Sequence, residues 1–107
     1  MASPFDKNVY QPYDTFAFEA LSVAGSSTAL TAATYAPAAT PPAKMAIARL
    51  ETAQIRYRLD GTAPTATTGT PMDPGDEIII YGVPDIASFR AIRTGGVSGT
   101  LDVHYLN

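Results

Sequence analysis

A protein nucleophile works only beside a base that takes its proton, most often a histidine steered by a third group. This chain has one histidine, His104, on the polar side of the alternating run Thr100-Leu101-Asp102-Val103-His104-Tyr105-Leu106. A lone histidine so placed reads as a surface residue, and neither a Gly-x-Ser-x-Gly elbow nor a glycine-rich phosphate loop accompanies it. Carboxylates gather instead in and beside the turns, as Asp60, Asp73, Asp76, Glu77 and Asp85. Calcium needs several such oxygens converging on one point, and no Asp-x-Asp-x-Asp spacing is present. Aspartate in a turn is explained by hydrogen bonds to its own backbone. Paired carboxylates for glycoside hydrolysis also need a cleft between them, which so small a domain rarely offers. With no cysteine there is neither a disulfide nor a thiolate metal site. The residues therefore predict a protein that is not an enzyme, with no cofactor, no metal and no small-molecule substrate.

What remains is the chemistry of contact. Tyr10 and Tyr13 flank Pro12 in a proline-bearing stretch, residues 1–15, that reads as an extended arm able to dock on a neighbouring subunit. In Glu77-Ile78-Ile79-Ile80-Tyr81 the apolar residues fall on both sides of the strand. That pattern predicts a central strand, or one whose Ile79 and Tyr81 meet another subunit. Arg56 and Arg58 share a face, with Arg90 and Arg93 on a strand able to pair nearby. They form either a charged contact surface or a solvated face neutralised by Asp60 or Asp102. Tyr10, Tyr13, Ile79, Tyr81, Arg56 and Arg58 are the candidate partner-binding residues.

The elements that must position these residues read as strands. Phe16 to Val23 alternates, then slips phase at Ala20-Leu21, which predicts a bulge there or a strand with two buried faces. Thr28 to Tyr35 reads as a weaker strand, and Ala36 to Pro42, with Pro37, Pro41 and Pro42, as a loop. Met45 to Glu51 and Ala53 to Leu59 read as strands joined by a tight turn near Thr52. In the second, Ala53, Ile55, Tyr57 and Leu59 point one way and Gln54, Arg56, Arg58 and Asp60 the other. A helix competes over 44–51 on propensity alone. Asp60-Gly61 is a turn that asks for a positive φ at Gly61. Thr62 to Pro71 is loop, Asp73 to Asp76 and Gly82 to Asp85 are turns, and Ala87 to Arg93 and Thr100 to Leu106 are the last strands. About seven short strands with turns between them predict an all-β fold, a single antiparallel β-sandwich, immunoglobulin-like or jelly-roll-like. The expected organisation is an arm over 1–15 and one domain over 16–107.

Composition agrees. Charged residues are only 16% of the 107, so the surface must be built from Thr, Ser, Ala, Gly and Pro, as in β-rich proteins with many turns. A net charge of −3 with no basic stripe gives no reason to expect nucleic acid. No targeting segment is visible at the N-terminus, and the longest apolar run, Ile78 to Tyr81, is too short to span a membrane. The expectation is a soluble protein that binds no membrane.

The block Ala53-Gln54-Ile55-Arg56-Tyr57-Arg58-Leu59-Asp60-Gly61-Thr62-Ala63-Pro64-Thr65-Ala66 is the most distinctive of the chain. Gly75-Asp76-Glu77-Ile78, Ile86-Ala87-Ser88-Phe89-Arg90-Ala91-Ile92-Arg93 and a closing Thr-Leu-x-Val-x-Tyr strand follow it. Over residues 45–106 this pattern resembles small virion structural proteins of tailed bacteriophages. The Asp-Gly-Thr-x-Pro-Thr turn is also similar to one in immunoglobulin-like modules of chitin-degrading enzymes. The resemblance implies assembly, not chemistry. The expected role is a capsid decoration or cement protein that binds the major capsid protein or other virion proteins and self-associates as a homo-oligomer. Its place would be the virion, after synthesis in the host bacterial cytoplasm. The alternatives are a connector- or tail-associated structural protein, or a carbohydrate-binding accessory module. Sugar sites favour exposed aromatics and above all Trp, which the chain lacks.

Overall fold

A computed structural model describes residues 13–107; of the arm expected over residues 1–15, residues 1–12 with Tyr10 lie outside the described residues, and Thr15 already belongs to a strand. Eight strands run through the described residues: β1 (Thr15–Val23), β2 (Thr28–Ala29), β3 (Met45–Glu51), β4 (Ile55–Arg58), β5 (Thr70–Met72), β6 (Glu77–Tyr81), β7 (Arg90–Arg93) and β8 (Gly99–Leu106). Two short helices join them, α1 (Ala32–Tyr35) and α2 (Val83–Ser88). The strands form two four-stranded antiparallel sheets, one in the order β1-β8-β3-β6 and the other β2-β7-β4-β5. The first strand thus pairs with the last, β2 with β7, β3 with β6 and β4 with β5. A ribbon of paired strands rolled onto itself has this connectivity, and the fold is a jelly-roll β-sandwich.

Alternation builds the core. Leu101, Val103 and Tyr105 of β8 are fully buried, as are Ala46, Ala48 and Leu50 of β3 and Ile80 of β6. The other sheet contributes Ile55, Met72 and Ala91, with Leu30, Ile86 and Phe89 from the connections. The alanines leave room between the sheets for rings: Tyr57 stacks on Phe89 with centroids 5.8 Å apart, and Tyr35 lies 6.0 Å from Tyr105. Gly99 is buried where β8 begins, and a Cβ there would come within 2.8 Å of the Ala53 carbonyl oxygen and of Ile55.

In β1 the inward set is Ala17, Glu19, Leu21 and Val23, so a carboxylate faces the core side of the sheet. The Tyr105 hydroxyl donates to Glu19 Oε2, the Thr31 hydroxyl to Oε1 at 2.7 Å and the Thr31 N–H to Oε2 at 3.1 Å. Burial, and then the bond to Glu19 and its charge, push ionisation of the Tyr105 phenol well above the ordinary tyrosine range.

Several expectations need correction. The irregularity in β1 falls between Thr15 and Ala17, at Phe16, while Ala20 and Leu21 hold regular register. The expected strand over 28–35 ends at Ala29, and Ala32–Tyr35 is a helical turn, because alanine at 32 and 33 favours helix once pairing with β7 stops. The loop expected over 62–71 contains β5, whose Pro71 is tolerated on a sheet edge where its missing N–H faces no partner. Residues 83–88 are α2, which carries Pro84 in its first turn, where a missing N–H costs nothing. Met45 to Glu51 is a strand, its helix propensity overridden by pairing on both edges. The tight turn at Thr52 is present, with φ +84° and the Ala53 N–H bonded to the Glu51 carbonyl. Among the described residues Glu77 to Tyr81 is an edge strand and not a central one, paired with β3. Leu59, expected inside with Ile55 and Tyr57, is 37% exposed because β4 ends at Arg58.

Ile55→Ala is expected to cost about 2–4 kcal/mol with its cavity, and Leu59→Ala no more than about 0.5 kcal/mol. Urea midpoints measure both, and equal losses would reverse the assignment of faces. Tyr105→Phe is expected to cost about 0.5–1.5 kcal/mol at neutral pH. The raised folded-state pKa makes that contribution whole below the unfolded value of about 10 and lost as pH climbs beyond it. Tyr105→Phe should therefore also flatten the alkaline fall of the melting temperature. An unchanged slope above about pH 10 would remove Tyr105 as its source.

Candidate functional site

The register of the first sheet places outward-facing residues in rows that cross all four strands. One row reads Phe18, His104, Ile47, Ile79 from β1 to β6. Beside it lie Met45 and Tyr81, paired across β3 and β6. Phe18 is 52% exposed, Ile79 45% and Tyr81 66%, so a belt of large apolar groups faces away from the core. The Phe18 and His104 rings lie 4.9 Å apart at 51°, which extends the apolar surface across β8.

The next row reads Ala20, Asp102, Arg49, Glu77, with Glu51 beyond it opposite Thr100. Three carboxylates thus share this side with one guanidinium. The Glu51 carboxyl is raised above its ordinary value, first by a hydrogen bond to Asp102 and then by repulsion from that charge, against a smaller lowering by Arg49. Phe18, Ile47, Arg49, Glu77, Asp102 and His104 line a shallow groove of about 360 Å³ between belt and acidic rim. The surface suits a partner that brings apolar side chains flanked by positive charge.

The other sheet turns a different face outward. Arg58 lies opposite Arg90 and Arg56 opposite Ile92, while Asp102 belongs to the first sheet and neutralises none of them. Arg58 is held by Asp60, at 2.5 Å from Nη2 to Oδ2 and 3.0 Å from Nε to Oδ1. That bond, joined by the Thr62 N–H, holds the Asp60 carboxyl below its usual value, and Asp60 raises Arg58 in turn. Arg56 donates from Nη1 to the Gly69 carbonyl at 2.6 Å and ties the loop after β4 to the strand. Its Nε is buried without a hydrogen-bond partner among the described residues. A second hollow, of about 450 Å³, lies at this end between Tyr57, Arg58, Leu59, Asp60, Thr68, Gly69 and Thr70.

The structure brings Ile79 and Tyr81 together on one outer face and Arg56 and Arg58 on the opposite one, so the candidates do not form a single site. Tyr13 is half-buried just before β1. Phe18, Ile47 and Met45 escaped sequence reasoning because each alternates with residues that look equally suited to the core. Among the described residues no cluster of His, Asp or Glu is placed to hold a metal ion, and no helix is long and apolar enough to cross a membrane.

Comparison with protein-family models, with curated proteins and with solved structures finds no match to this chain.

The Asp60-Gly61 turn that walls the second hollow has its own test. Gly61 adopts φ +81° and donates its N–H to the Ser88 carbonyl at 3.0 Å. Gly61→Val should cost about 1–3 kcal/mol through the left-handed backbone. The Thr65 hydroxyl accepts the Thr68 N–H at 2.9 Å and the Thr67 N–H at 3.2 Å. Thr65→Ala should therefore cost about 0.5–1.5 kcal/mol. Thermal melts of the two variants check both values, and a melt of Gly61→Val that matches wild type would refute the turn's role.

Proposed function

We propose that this chain is a structural subunit of a tailed-phage virion, acting as a decoration or cement protein on the head. The observation that carries the reading is the belt Phe18, His104, Ile47, Ile79 with Tyr81, laid across an open sheet face. A belt of this kind usually marks a surface meant for another protein, and here an acidic rim adjoins it. The motif pattern over residues 45–106 points the same way, and eight-stranded jelly rolls recur in viral capsid and lectin domains. Fold alone does not assign a role, so the weight rests on the belt.

A decoration subunit needs only a modest contact with each neighbour, because many weak contacts sum across a closed shell. The belt would supply the apolar anchor, and the rim would select basic residues on the major capsid protein. Placement at the connector or tail uses the same surface on a different partner. The carbohydrate-binding alternative would also fall on the belt, where Phe18 and Tyr81 are the exposed aromatics, since the Tyr57 ring beside the second hollow is already stacked on Phe89.

The test is mass spectrometry of virions purified from the phage that encodes the chain, with head and tail fractions separated. The chain is expected in the head fraction at many copies. Phe18→Glu, at an exposed site on β1, should leave a folded domain yet reduce incorporation at least tenfold. Virions without the chain would end the proposal, recovery from tails alone would move it to the alternative placement, and full incorporation of Phe18→Glu would acquit the belt.

A further inference from the structure

A sheet edge presents unpaired N–H and C=O groups, and proteins blunt such edges with very short strands, proline, bulges or inward-pointing charges. Among the described residues the sandwich has four edge strands, β1 and β6 in one sheet and β2 and β5 in the other. β2 is two residues long, and β5 is three residues long with Pro71 at its centre. β1 carries the irregularity at Phe16 and turns Glu19 inward. β6 is the least protected of the four, its one charge being Glu77 at its first residue. It is five residues long, Glu77-Ile78-Ile79-Ile80-Tyr81, without proline, lysine, bulge or inward charge.

The phase of its hydrogen bonds can be read from its ends. The Leu50 N–H donates to the Asp76 carbonyl at 3.0 Å and the Gly82 N–H to the Lys44 carbonyl at 2.7 Å. Residues at even positions of β6 therefore bond to β3, and in an antiparallel pair the alternate residues turn their N–H and C=O the other way. Glu77, Ile79 and Tyr81 direct theirs to the open edge, where no described residue pairs with them. The same residues carry the outward side chains, with Ile79 and Tyr81 largely exposed.

We infer that β6 is a self-pairing edge: two copies of the chain join β6 to β6, antiparallel about a two-fold axis centred on Ile79, into one continuous sheet. The occupant is a second copy because the edge is complementary to itself. Centred on Ile79, all five residues pair. Ile79 meets Ile79 of the partner subunit, Ile78 meets Ile80 of the partner subunit, and Glu77 meets Tyr81 of the partner subunit. Centring on Glu77 would oppose like charges, and centring on any other residue leaves part of the strand unpaired. An isologous contact of this kind closes as a dimer and does not propagate. It also joins the two belts end to end, so the apolar row runs from Phe18 of one copy to Phe18 of the partner subunit. The inference deepens the assembly reading and rests on it for its purpose, while its test uses purified protein alone and so fails separately from the virion experiment.

Sedimentation equilibrium of the full chain across concentration should show a monomer–dimer equilibrium. Ile79→Lys sets like charges face to face on the axis at an exposed site. It should leave the thermal melt of the dilute monomer unchanged while moving the dimer midpoint at least about tenfold higher in concentration. Because the chain has no cysteine, Ile79→Cys places a single thiol per copy. Directly opposed residues of this hydrogen-bonded type lie about 5.5 Å apart at Cα, within the span of a disulfide. Ile79→Cys should therefore oxidise to a covalent dimer, and Val97→Cys, exposed in the loop between β7 and β8, should not. A wild-type chain that stays monomeric up to about 1 mM would overturn the inference. So would a dimer indifferent to Ile79→Lys, or Val97→Cys cross-linking as readily as Ile79→Cys.

Discussion

Glu19 is a carboxylate that strand alternation turns toward the core side of its own sheet, where it stays partly exposed and is held by three donors. The Tyr105 hydroxyl comes from β8, and the Thr31 hydroxyl and N–H come from the connection that leaves β2. One side chain thus ties the first strand to the last and the first sheet to the chain emerging from the second. The register of β1 depends on it. A slip by one residue would turn Glu19 away from its donors and carry Phe18 inward, while Ala17, Leu21 and Val23 moved to solvent. The carboxylate contributes less by its own bond energy than by making every other register of β1 worse.

With β1 held in that phase, the outer face of the first sheet follows. Phe18 must point out, and the pairing of β1 with β8, β8 with β3 and β3 with β6 sets it in line with His104, Ile47 and Ile79. The two outer faces of the sandwich then differ in kind. One offers apolar bulk beside surplus carboxylate. The other offers arginines already engaged, Arg58 by Asp60 and Arg56 by the Gly69 carbonyl. Arg58, with its charge already met by Asp60, gains little from a second partner, so the apolar belt is the better surface for an outside contact.

The fold class was legible because period-2 alternation survives in β3, β4 and β8, where one side is wholly apolar. Leu101, Val103 and Tyr105 read as buried and are. The turn at Asp60-Gly61 was legible from its residue types, and φ at Gly61 has the expected sign. Legibility failed where pairing partners decide. Glu77 to Tyr81 looks central because three consecutive isoleucines must fall on both faces, yet a strand at an edge exposes one of those faces unless something else covers it. β5 was hidden by Pro71, since proline reads as loop unless the strand is known to lie on an edge. The apolar belt was hidden for another reason. Its members come from four strands that are neighbours in space and not in sequence, and no local window contains more than two of them. Ile79 and Tyr81 were found because they share a strand, and Phe18 was missed because its neighbours in the belt are on other strands.

The position of β8 has a consequence for how the chain reaches this structure. β8 is the last strand in sequence and sits between β1 and β3, so the first sheet has no continuous centre until residues 99–106 are present. During synthesis β1 waits without its only partner, while β3 and β6 can form no more than a two-stranded ribbon, which has little stability in water. Pairing β1 with β8 also joins segments far apart in sequence, and contacts of such long separation slow folding. The first sheet can therefore close only once β8 is available to both of its neighbours. Until then, the isoleucines of β6 and the Phe18 of β1 remain open to whatever chaperone or neighbouring nascent chain reaches them first.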